Sequence, residues 1–582
     1  MKIQGLIRER IEELVGKLSE GGSISFDLGH PKEENHGDYA TNVAMQCFGL
    51  VKSNIPGGYL HKLAVFASDP KDMAEKIIQD LKKDAQLMEV IEKIEVAGPG
   101  FINFYLKKEV LGKELELAVR EGDNYGKGSW GMGKRVLVEY SSPNIAKRFS
   151  VGHFRSTVIG QAIRNLYQFS GWETVGDNHL GDWGTQFGMM IAAVEEKGVD
   201  ISMMTLDEVE ELYVEFNGRI KDNPQLLDKA REAFLRLEQG ESKAREIWKM
   251  AVAKSMEEFE RIYRLIGVRI ENSYGESSYE ELMPSIIEEA KAKKISQKSE
   301  GAWIVEFGPS TAAQSAGREA IPPAMLVKSD GTTTYFTRDL ATVKFREEGE
   351  LKSDLYVYEV GEEQTLHFRQ VFAAVEKLGW AKKDKFVHVA HGLILGKDGK
   401  KMSTRKGTTV KIEDWIGEIV EKAGAINQGA AAAVGVGAVK YFDLKHAPNT
   451  SYRFDMEEAL RLDGDSGPYL QYALVRTKAV LAKAKKDSFG LSGSLIMNAE
   501  EEKVVRWIYR FGEVVEEAAK NFSPNLVCSY LFELGQRFNG FYNRHQIIGG
   551  ENEDFRLLLT KATGQVLENG LKLLGIETVE KM

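Results

Sequence analysis

A chain of 582 residues exceeds what one hydrophobic core can hold, so a single-domain protein is excluded and several domains are expected. With 43% apolar and 28% charged residues, the composition is that of a folded globular protein, not of a disordered, collagenous or coiled-coil one. The formal charge of −10 argues against nonspecific nucleic-acid binding through bulk electrostatics but leaves room for local basic patches; two distant cysteines, Cys47 and Cys528, supply neither a disulfide framework nor a zinc site.

In chain order, MKIQGLIRERIEELVGKL reads as an amphipathic helix without the apolar core and cleavage site of a signal peptide. No run approaches the ~18 apolar residues of a membrane span, so a cytoplasmic protein with no membrane partner is expected. Residues 1–122 close on EVAGPGFINFYL, a strand after a Gly-Pro-Gly turn, and form an α+β domain. The stretch GSWGMGKR (128–135) has the spacing of a phosphate-binding P-loop. It ends in Arg135 and precedes a strand instead of following one, so it is read as a linker.

RVLVEY (135–140), a helix from Gly152 to Ser170 and the strand WETVGDN form a βαβ unit, hence a parallel sheet with its ligands at the strands' carboxyl ends. A charged helical insertion is expected over about 190–292. Strands at AWIVEF (302–307), AMLVKSD (324–330), TTTYF (332–336), LYVYEV (355–360) and KFVHVAHGLIL (385–395) are expected to complete the sheet. From about residue 410 the pattern is helical to the end, as in a bundle; Arg476, Lys478, Lys483, Lys485 and Lys486 cluster on one of these helices.

Two segments carry chemistry. In EYSSPNIAKRFSVGHFRSTVIG (139–160), Gly152 opens a helix whose unpaired N–H groups and positive dipole end suit phosphate, with His153 and Lys147 as further donors. In GKDGKKMSTRKG (396–407), a glycine-punctuated turn after a buried strand presents Lys400, Lys401, Arg405 and Lys406, a loop able to close over triphosphate. Either alone is commonly structural; the pair together points to nucleotide binding.

The paired segments resemble the His-x-Gly-His and Lys-Met-Ser-Lys-Ser motifs of class I aminoacyl-tRNA synthetases. SSPNIAKxxxxGHxRST is similar to the arginyl form. The resemblance runs through HGDYATNVAM, GPGFINFYL, GDWGTQFG (181–188), DGTTTYFTRDLAT (330–342), SGPYLQYALVR (466–476) and NGLKLLGIETVEKM. It departs at Ser150, where the motif has its first histidine, and in the second motif, which reads Lys401-Met402-Ser403-Thr404-Arg405. The resemblance implies that Lys147 compensates for the latter. A Ser150 hydroxyl can hydrogen-bond to phosphate but brings no charge.

What the resemblance implies is an α/β Rossmann-like parallel-sheet catalytic domain (123–460) with the helical insertion, an N-terminal α+β domain (1–122) touching the tRNA, and a C-terminal all-helical anticodon-binding bundle (461–582). The implied substrates are ATP, accompanied by Mg²⁺, L-arginine and the arginine tRNA, with a monomer as the expected state and no protein-bound metal. The catalytic set is Lys147, Ser150, Gly152, His153, Lys401, Met402, Ser403, Arg405 and Lys406. A guanidinium demands carboxylates and flat aromatic surface; Glu139 at the end of the first strand, Asp339 on the turn after TTTYF, and Tyr335 meet that demand. Asn144, His153 and Gln364 complete the arginine site by resemblance. Tyr39, Asn42, Tyr469, Tyr472, Tyr542 and Arg544 are of types suited to RNA contact, by stacking and by hydrogen bonds to splayed bases. The family forms an aminoacyl-adenylate, then esterifies the tRNA's terminal ribose 2′-hydroxyl, usually with tRNA bound before activation. The alternative, kept alive by Ser150, is a noncatalytic tRNA-binding paralogue.

Overall fold

The computed structural model describes residues 3–18, 24–52, 67–308, 320–402, 410–484, 486, 490–491 and 495–582, which fall into two compact units. The first comprises Met1–Gly122, Lys483–Arg510 and Gly540–Thr563; the second comprises Asp123–Ala482, Phe511–Asn539 and Gly564–Met582.

The first unit begins with α1 (Ile3–Leu18), β1 (Leu28–Gly29), β2 (Tyr39–Thr41), α2 (Val43–Lys52), α3 (Pro70–Leu81), α4 (Ala85–Val90), β3 (Ile91–Ala97), β4 (Phe101–Leu106) and α5 (Lys108–Glu121). Its strands form an antiparallel sheet in the order β1-β2-β4-β3. Helix α3 shows how local sequence fixes an element: the Asp69 side chain accepts from the N–H groups of Lys71 and Asp72, and Pro70 sits in the first turn, where no N–H is needed. Asp38, fully buried, accepts from Leu106 N–H at 2.8 Å and pairs with Arg506, so a buried charge is matched.

In the second unit, β5 (Arg135–Glu139), α6 (Val151–Phe169) and β6 (Glu173–Asp177) form the expected βαβ unit. The insertion follows as α7 (Thr185–Lys197), α8 (Leu206–Arg219), α9 (Gln225–Glu238), α10 (Ser242–Leu265) and α11 (Met283–Ala292). Strands β7 (Ser296–Ser299), β8 (Ala302–Val305) and β9 (Ala324–Val327) come next, then α12 (Tyr335–Glu348), β10 (Leu355–Gly361), α13 (Thr365–Leu378), β11 (Phe386–His391) and β12 (Ile394–Leu395). Among the described residues the parallel sheet has four strands, in the order β11-β10-β5-β6. The crossover from β5 runs outward to β6 and that from β10 outward to β11, so chain direction switches between β5 and β10. A crevice opens at the carboxyl ends of such a pair. The strands are held by near-continuous apolar burial, with Val136, Leu137, Val138, Tyr356 and Val357 all inaccessible.

Two expectations about this sheet are corrected. β8 and β9 do not join it: with β7 they form a separate antiparallel sheet. TTTYF is not a strand; Thr333 makes only an isolated bridge to Val327, and the chain turns into α12 at Tyr335. Asp339 accordingly lies on a helix and not on a turn. Threonine and aromatic enrichment favours strand locally, but Thr334 in extended conformation ahead of Tyr335 acts as the helix boundary.

The chain continues as α14 (Ile412–Ala423), α15 (Ala431–Leu444), β13 (Tyr452–Arg453) and α16 (Gly467–Ala484), then α17 (Ala499–Ile508), α18 (Phe511–Lys520), α19 (Asn525–Arg544) and α20 (Glu553–Leu573). Strand β13 pairs in parallel with β12. Of the expected basic cluster, Arg476, Lys478 and Lys483 are on α16, Lys486 lies beyond its end, and Lys485 is outside the described residues. Among the described residues no helix is long and apolar enough to cross a membrane.

Candidate active site

After β5 the chain takes an unusual path, with Ser141, Ser142 and Ala146 all at positive φ (75°, 45° and 60°). Such conformations are unfavourable for residues bearing a Cβ and persist only where the surroundings over-determine them. Here they do: Ser141 N–H donates to Ser156 Oγ (3.0 Å), Ser142 N–H to Asn178 Oδ1 (3.1 Å) and Ala146 N–H to Ser255 Oγ (2.9 Å). The loop is thereby pinned to α6, to the segment after β6 and to the helical insertion. At Gly181 a Cβ would lie 2.4 Å from Asn144 Oδ1, so any larger residue there would have to displace that side-chain amide.

Helix α6 starts one residue earlier than expected, and its N-cap is Ser150. The Ser150 hydroxyl accepts from His153 N–H (3.4 Å), and His153 Nδ1 accepts from Ser150 N–H (3.0 Å), forming a reciprocal capping box. Because Nδ1 is an acceptor, the neutral ring carries its proton on Nε2. Burial, reinforced by Lys401, Lys147 and His391, lowers the His153 pKa to about 4, so the ring is neutral near pH 7. A methyl group at Gly152 would meet no protein atom closer than Ser150 Oγ at 3.6 Å, so packing does not demand glycine there. Gly152 instead borders open space.

That space is a cavity of about 410 Å³ at the β5–β10 switch point. Its wall includes Asn144, Ser150, Gly152 and His153 from the first segment, Gln364 after β10, and Lys401 with Met402 from the second. The second segment reaches it through a tight hairpin: Met402 N–H donates to Ile394 O (3.2 Å), Gly396 N–H to Lys400 O (2.9 Å), and Gly399 turns the chain at φ 76°. Beyond the loop, the backbone of Lys411 bridges that of Ser150. Two segments about 250 positions apart thus share one cavity. Ser403, Arg405 and Lys406 lie outside the described residues. Lys147 is not on the cavity wall: its ammonium lies over the Tyr213 ring, 5.8 Å from the centroid, close enough for its charge to act on His153.

Glu139, Tyr335 and Asp339 form a second group beside this cavity and not on its wall. Glu139 is buried and its carboxylate pairs at 2.6 Å with Arg346, which pairs at 2.6 Å with Asp177. One guanidinium against two carboxylates leaves a net negative charge there. Helix α12 places Tyr335 and Asp339 one turn apart on one face. Asp339 pairs with His367 and lies 3.8 Å from His179, and the Tyr335 ring, exposed, sits 4.8 Å from that of His367. Burial works to raise the Asp339 pKa, but His367, His179 and Arg346 outweigh it and leave it lowered. For His179, burial works downward, and Glu139 with Asp339 turns the net shift upward. The cluster therefore sets three carboxylates, Glu139, Asp177 and Asp339, against Arg346 and the imidazoles of His179 and His367.

Sequence reading missed Arg346, Asp177, His179, His367, Glu359 and His391. Asp177, Glu359 and His391 had a signal, an ionisable residue in a buried strand, but not the partner that gives it meaning; Arg346, among the charges of α12, had none.

Of the residues expected to touch RNA, two are corrected. Tyr39 is inaccessible, packed 4.8 Å from the His30 ring, and Tyr469 is 8% exposed with its hydroxyl accepting from Asn539 (2.8 Å); both are core residues with no ring face to offer a base. Asn42 is half-buried and bonds Asp27 (2.8 Å); Tyr472 lies under the Arg476 guanidinium (4.8 Å). Tyr542 is exposed, as is Arg544, which pairs with Glu500.

The family model for the catalytic domain of class I tRNA synthetases (R) matches residues 116–456, more than half of the chain. The chain belongs to the arginyl-tRNA synthetases. The N-terminal domain model of arginyl-tRNA synthetases matches residues 1–106, and the DALR anticodon-binding domain model matches residues 470–582. Arginine–tRNA ligase of Clostridium beijerinckii is 36% identical, the match covering 100% of this chain and 99% of the relative; that of Lactococcus lactis is 38% identical, over 89% and 94%. Among solved structures, the arginyl-tRNA synthetases of Plasmodium falciparum (TM-score 0.80, 24% identity, 100% and 99% covered) and Thermus thermophilus (TM-score 0.79, 23% identity, 100% of both) share the fold. Membership in this family fits a chain whose two signature segments meet on one cavity.

Proposed function

We propose that the chain ligates L-arginine to its tRNA at this cavity through an arginyl-adenylate. The observation that carries the reading is the meeting of the α6 end and the 394–402 hairpin on one cavity, with an anionic cluster beside it. In the first step a carboxylate oxygen of arginine attacks the α-phosphorus of ATP, the bond to the bridging oxygen breaks, and pyrophosphate leaves. In the second, the ribose hydroxyl of the tRNA terminus attacks the adenylate's carbonyl carbon and AMP leaves. Neither step needs a covalent enzyme intermediate, so rate comes from positioning and from donors aimed at developing charge.

His153 donates from Nε2–H. The capping box occupies the N–H groups of Ser150 and His153 and leaves that of Gly152 as the helix-end donor to phosphate. Lys401 brings charge from the hairpin, with Met402, Ser403, Arg405 and Lys406 continuing the clamp and Lys147 contributing at longer range. Arginine extends from Asn144 and Gln364, which hold its amino end, toward Asp339, Tyr335 and the Glu139–Arg346–Asp177 group, which receive the guanidinium. Mg²⁺ enters as the counter-ion of the triphosphate; among the described residues no three His, Cys, Asp or Glu side chains are placed to hold a metal by themselves. Tyr472, Tyr542 and Arg544 are the remaining aromatic and cationic candidates for tRNA contact, and the protein acts as a cytoplasmic monomer.

Steady-state charging of purified arginine tRNA tests the reading. Arginylation dependent on ATP is expected. No acylation at saturating ATP and arginine, with tRNA still bound, would leave the noncatalytic paralogue.

A further inference from the structure

The first signature segment lacks a histidine at Ser150, yet a second imidazole reaches the same cavity from another strand. His391 ends β11, paired with Gly361 at the end of β10, and its ring forms part of the cavity wall with Ser150 and His153. Its Nδ1 is 2.9 Å from Oε1 of Glu359, a carboxylate with no accessible surface. An acceptor-only carboxylate fixes the tautomer: Nδ1 carries a proton and Nε2 is the nitrogen left to the cavity.

We propose that His391, oriented by Glu359, is an additional catalytic residue of the activation step, contacting the triphosphate of ATP through Nε2 and supplying the imidazole charge that Ser150 does not. The inference rests on the ATP site proposed above. The arrangement has the form of a carboxylate–histidine pair whose outer nitrogen works on a ligand, and the buried carboxylate sets ring orientation as well as charge.

The surrounding charges favour the same role. Glu359 and Asp443 are both fully buried beneath the cavity, and Arg155, also buried, is the neighbouring cation, with Nε 3.7 Å from Asp443 Oδ1. Its Nη2 is committed to the carbonyls of Pro448 (3.0 Å) and Thr450 (2.8 Å). Burial pushes the Asp443 carboxyl up and Tyr452 donates to it (2.6 Å), so Glu359, at 2.9 Å from Nδ1, is the acid that most directly favours a protonated His391. Burial and Arg155 oppose that protonation, while Glu359, by charge and by hydrogen bond, and Asp443 favour it, with a raised pKa as the result. The other imidazoles nearby are not equivalent: His153 is held neutral, and His388 is turned to the Val360 carbonyl (3.1 Å).

The test compares binding of ATP with that of adenosine to the full chain with tRNA present, in wild type, His391→Phe and Glu359→Gln. His391→Phe keeps a ring in the wall and removes both nitrogens. A charge-assisted hydrogen bond is worth roughly 1.5–3 kcal/mol, so ATP binding is expected to weaken about tenfold or more while adenosine binding is unchanged. Glu359→Gln is expected to move ATP in the same direction by less, since the ring stays and its charge is no longer supported. In wild type, ATP affinity is expected to fall as pH rises through the raised His391 value, and His391→Phe to lose that dependence.

Equal weakening of ATP and adenosine, or unchanged ATP binding, in a variant that melts with the wild type would overturn the inference. Should His391→Phe fail to fold, the ATP–adenosine difference in Glu359→Gln decides it. Wild type that charges tRNA alongside an unaffected His391→Phe removes this inference alone. Wild type that binds no ATP removes the site beneath it.

Discussion

Ser150 stands where the signature motif carries a histidine, and its work is local. Its hydroxyl caps α6 and its N–H holds the His153 ring, so the residue aims the neighbouring imidazole whether or not it touches phosphate. Ser150→Ala should lower stability by about 1 kcal/mol, the usual value of an N-cap, and should also reduce turnover through His153. Chemical denaturation alongside ATP–pyrophosphate exchange separates the two effects; a stability loss with no kinetic change would show that His153 is aimed by something else. His179 gives a pH prediction. Its pKa is raised by Glu139 and Asp339 against the opposing effect of burial, so as pH falls through that raised value the ring gains a proton, pairs with Asp339 and repels the guanidinium. The KM for arginine should therefore fall as pH rises above the ordinary histidine value of about 6.5 and then level off. Steady-state kinetics in arginine across that range check it, and a flat profile would contradict the proposed place of Asp339.

At the scale of elements, the network that joins β5, β6 and α12 is electrostatic as well as apolar. Arg346 of α12 bridges Glu139 and Asp177, the last residues of two parallel strands. Replacing it by Met would leave two buried carboxylates unmatched, a change expected to destabilise the unit by about 3–5 kcal/mol. The denaturant midpoint of Arg346→Met reads this directly; a loss below about 1 kcal/mol, the range of exposed pairs, would mean that the carboxylates find other partners. The loop after β5 makes a second element-level prediction. Gly181→Ala would push a methyl group against Asn144 Oδ1, so the KM for arginine should rise with little change in that for ATP. The βαβ unit and the helical insertion were legible because long periodic segments declare themselves. TTTYF was not, because a short Thr-rich run favours strand locally, while the burial of Phe336 and Leu340 along α12 decides its conformation. The strands near residues 302 and 324 were legible as strands but not as a separate sheet, since pairing partners are not written in local pattern.

At the scale of the molecule, the two segments proposed to hold phosphate could be named from the sequence only as a pair, because a glycine-histidine helix start or a lysine-rich turn is by itself commonly structural. That they meet is a property of the sheet order: β5 and β10, 219 residues apart at the paired Val136 and Leu355, lie side by side, and their ends form one crevice. The acids proposed to receive the guanidinium were legible as residue types, whereas Arg346, which pairs with Glu139, was hidden in an amphipathic helix. Tyr39 and Tyr469 were misjudged because an aromatic that would stack on a base is indistinguishable, by type, from one that packs in a core.

The division of labour between the cavity and the anionic cluster is tested most directly by tRNA-dependent ATP–pyrophosphate exchange on His153→Asn and Asp339→Asn. Loss of a charge-assisted contact, worth roughly 1.5–3 kcal/mol, should raise the KM for arginine about tenfold or more in Asp339→Asn and leave that for ATP near wild type. His153→Asn should act on ATP instead. Equal effects of either substitution on both substrates would contradict the account.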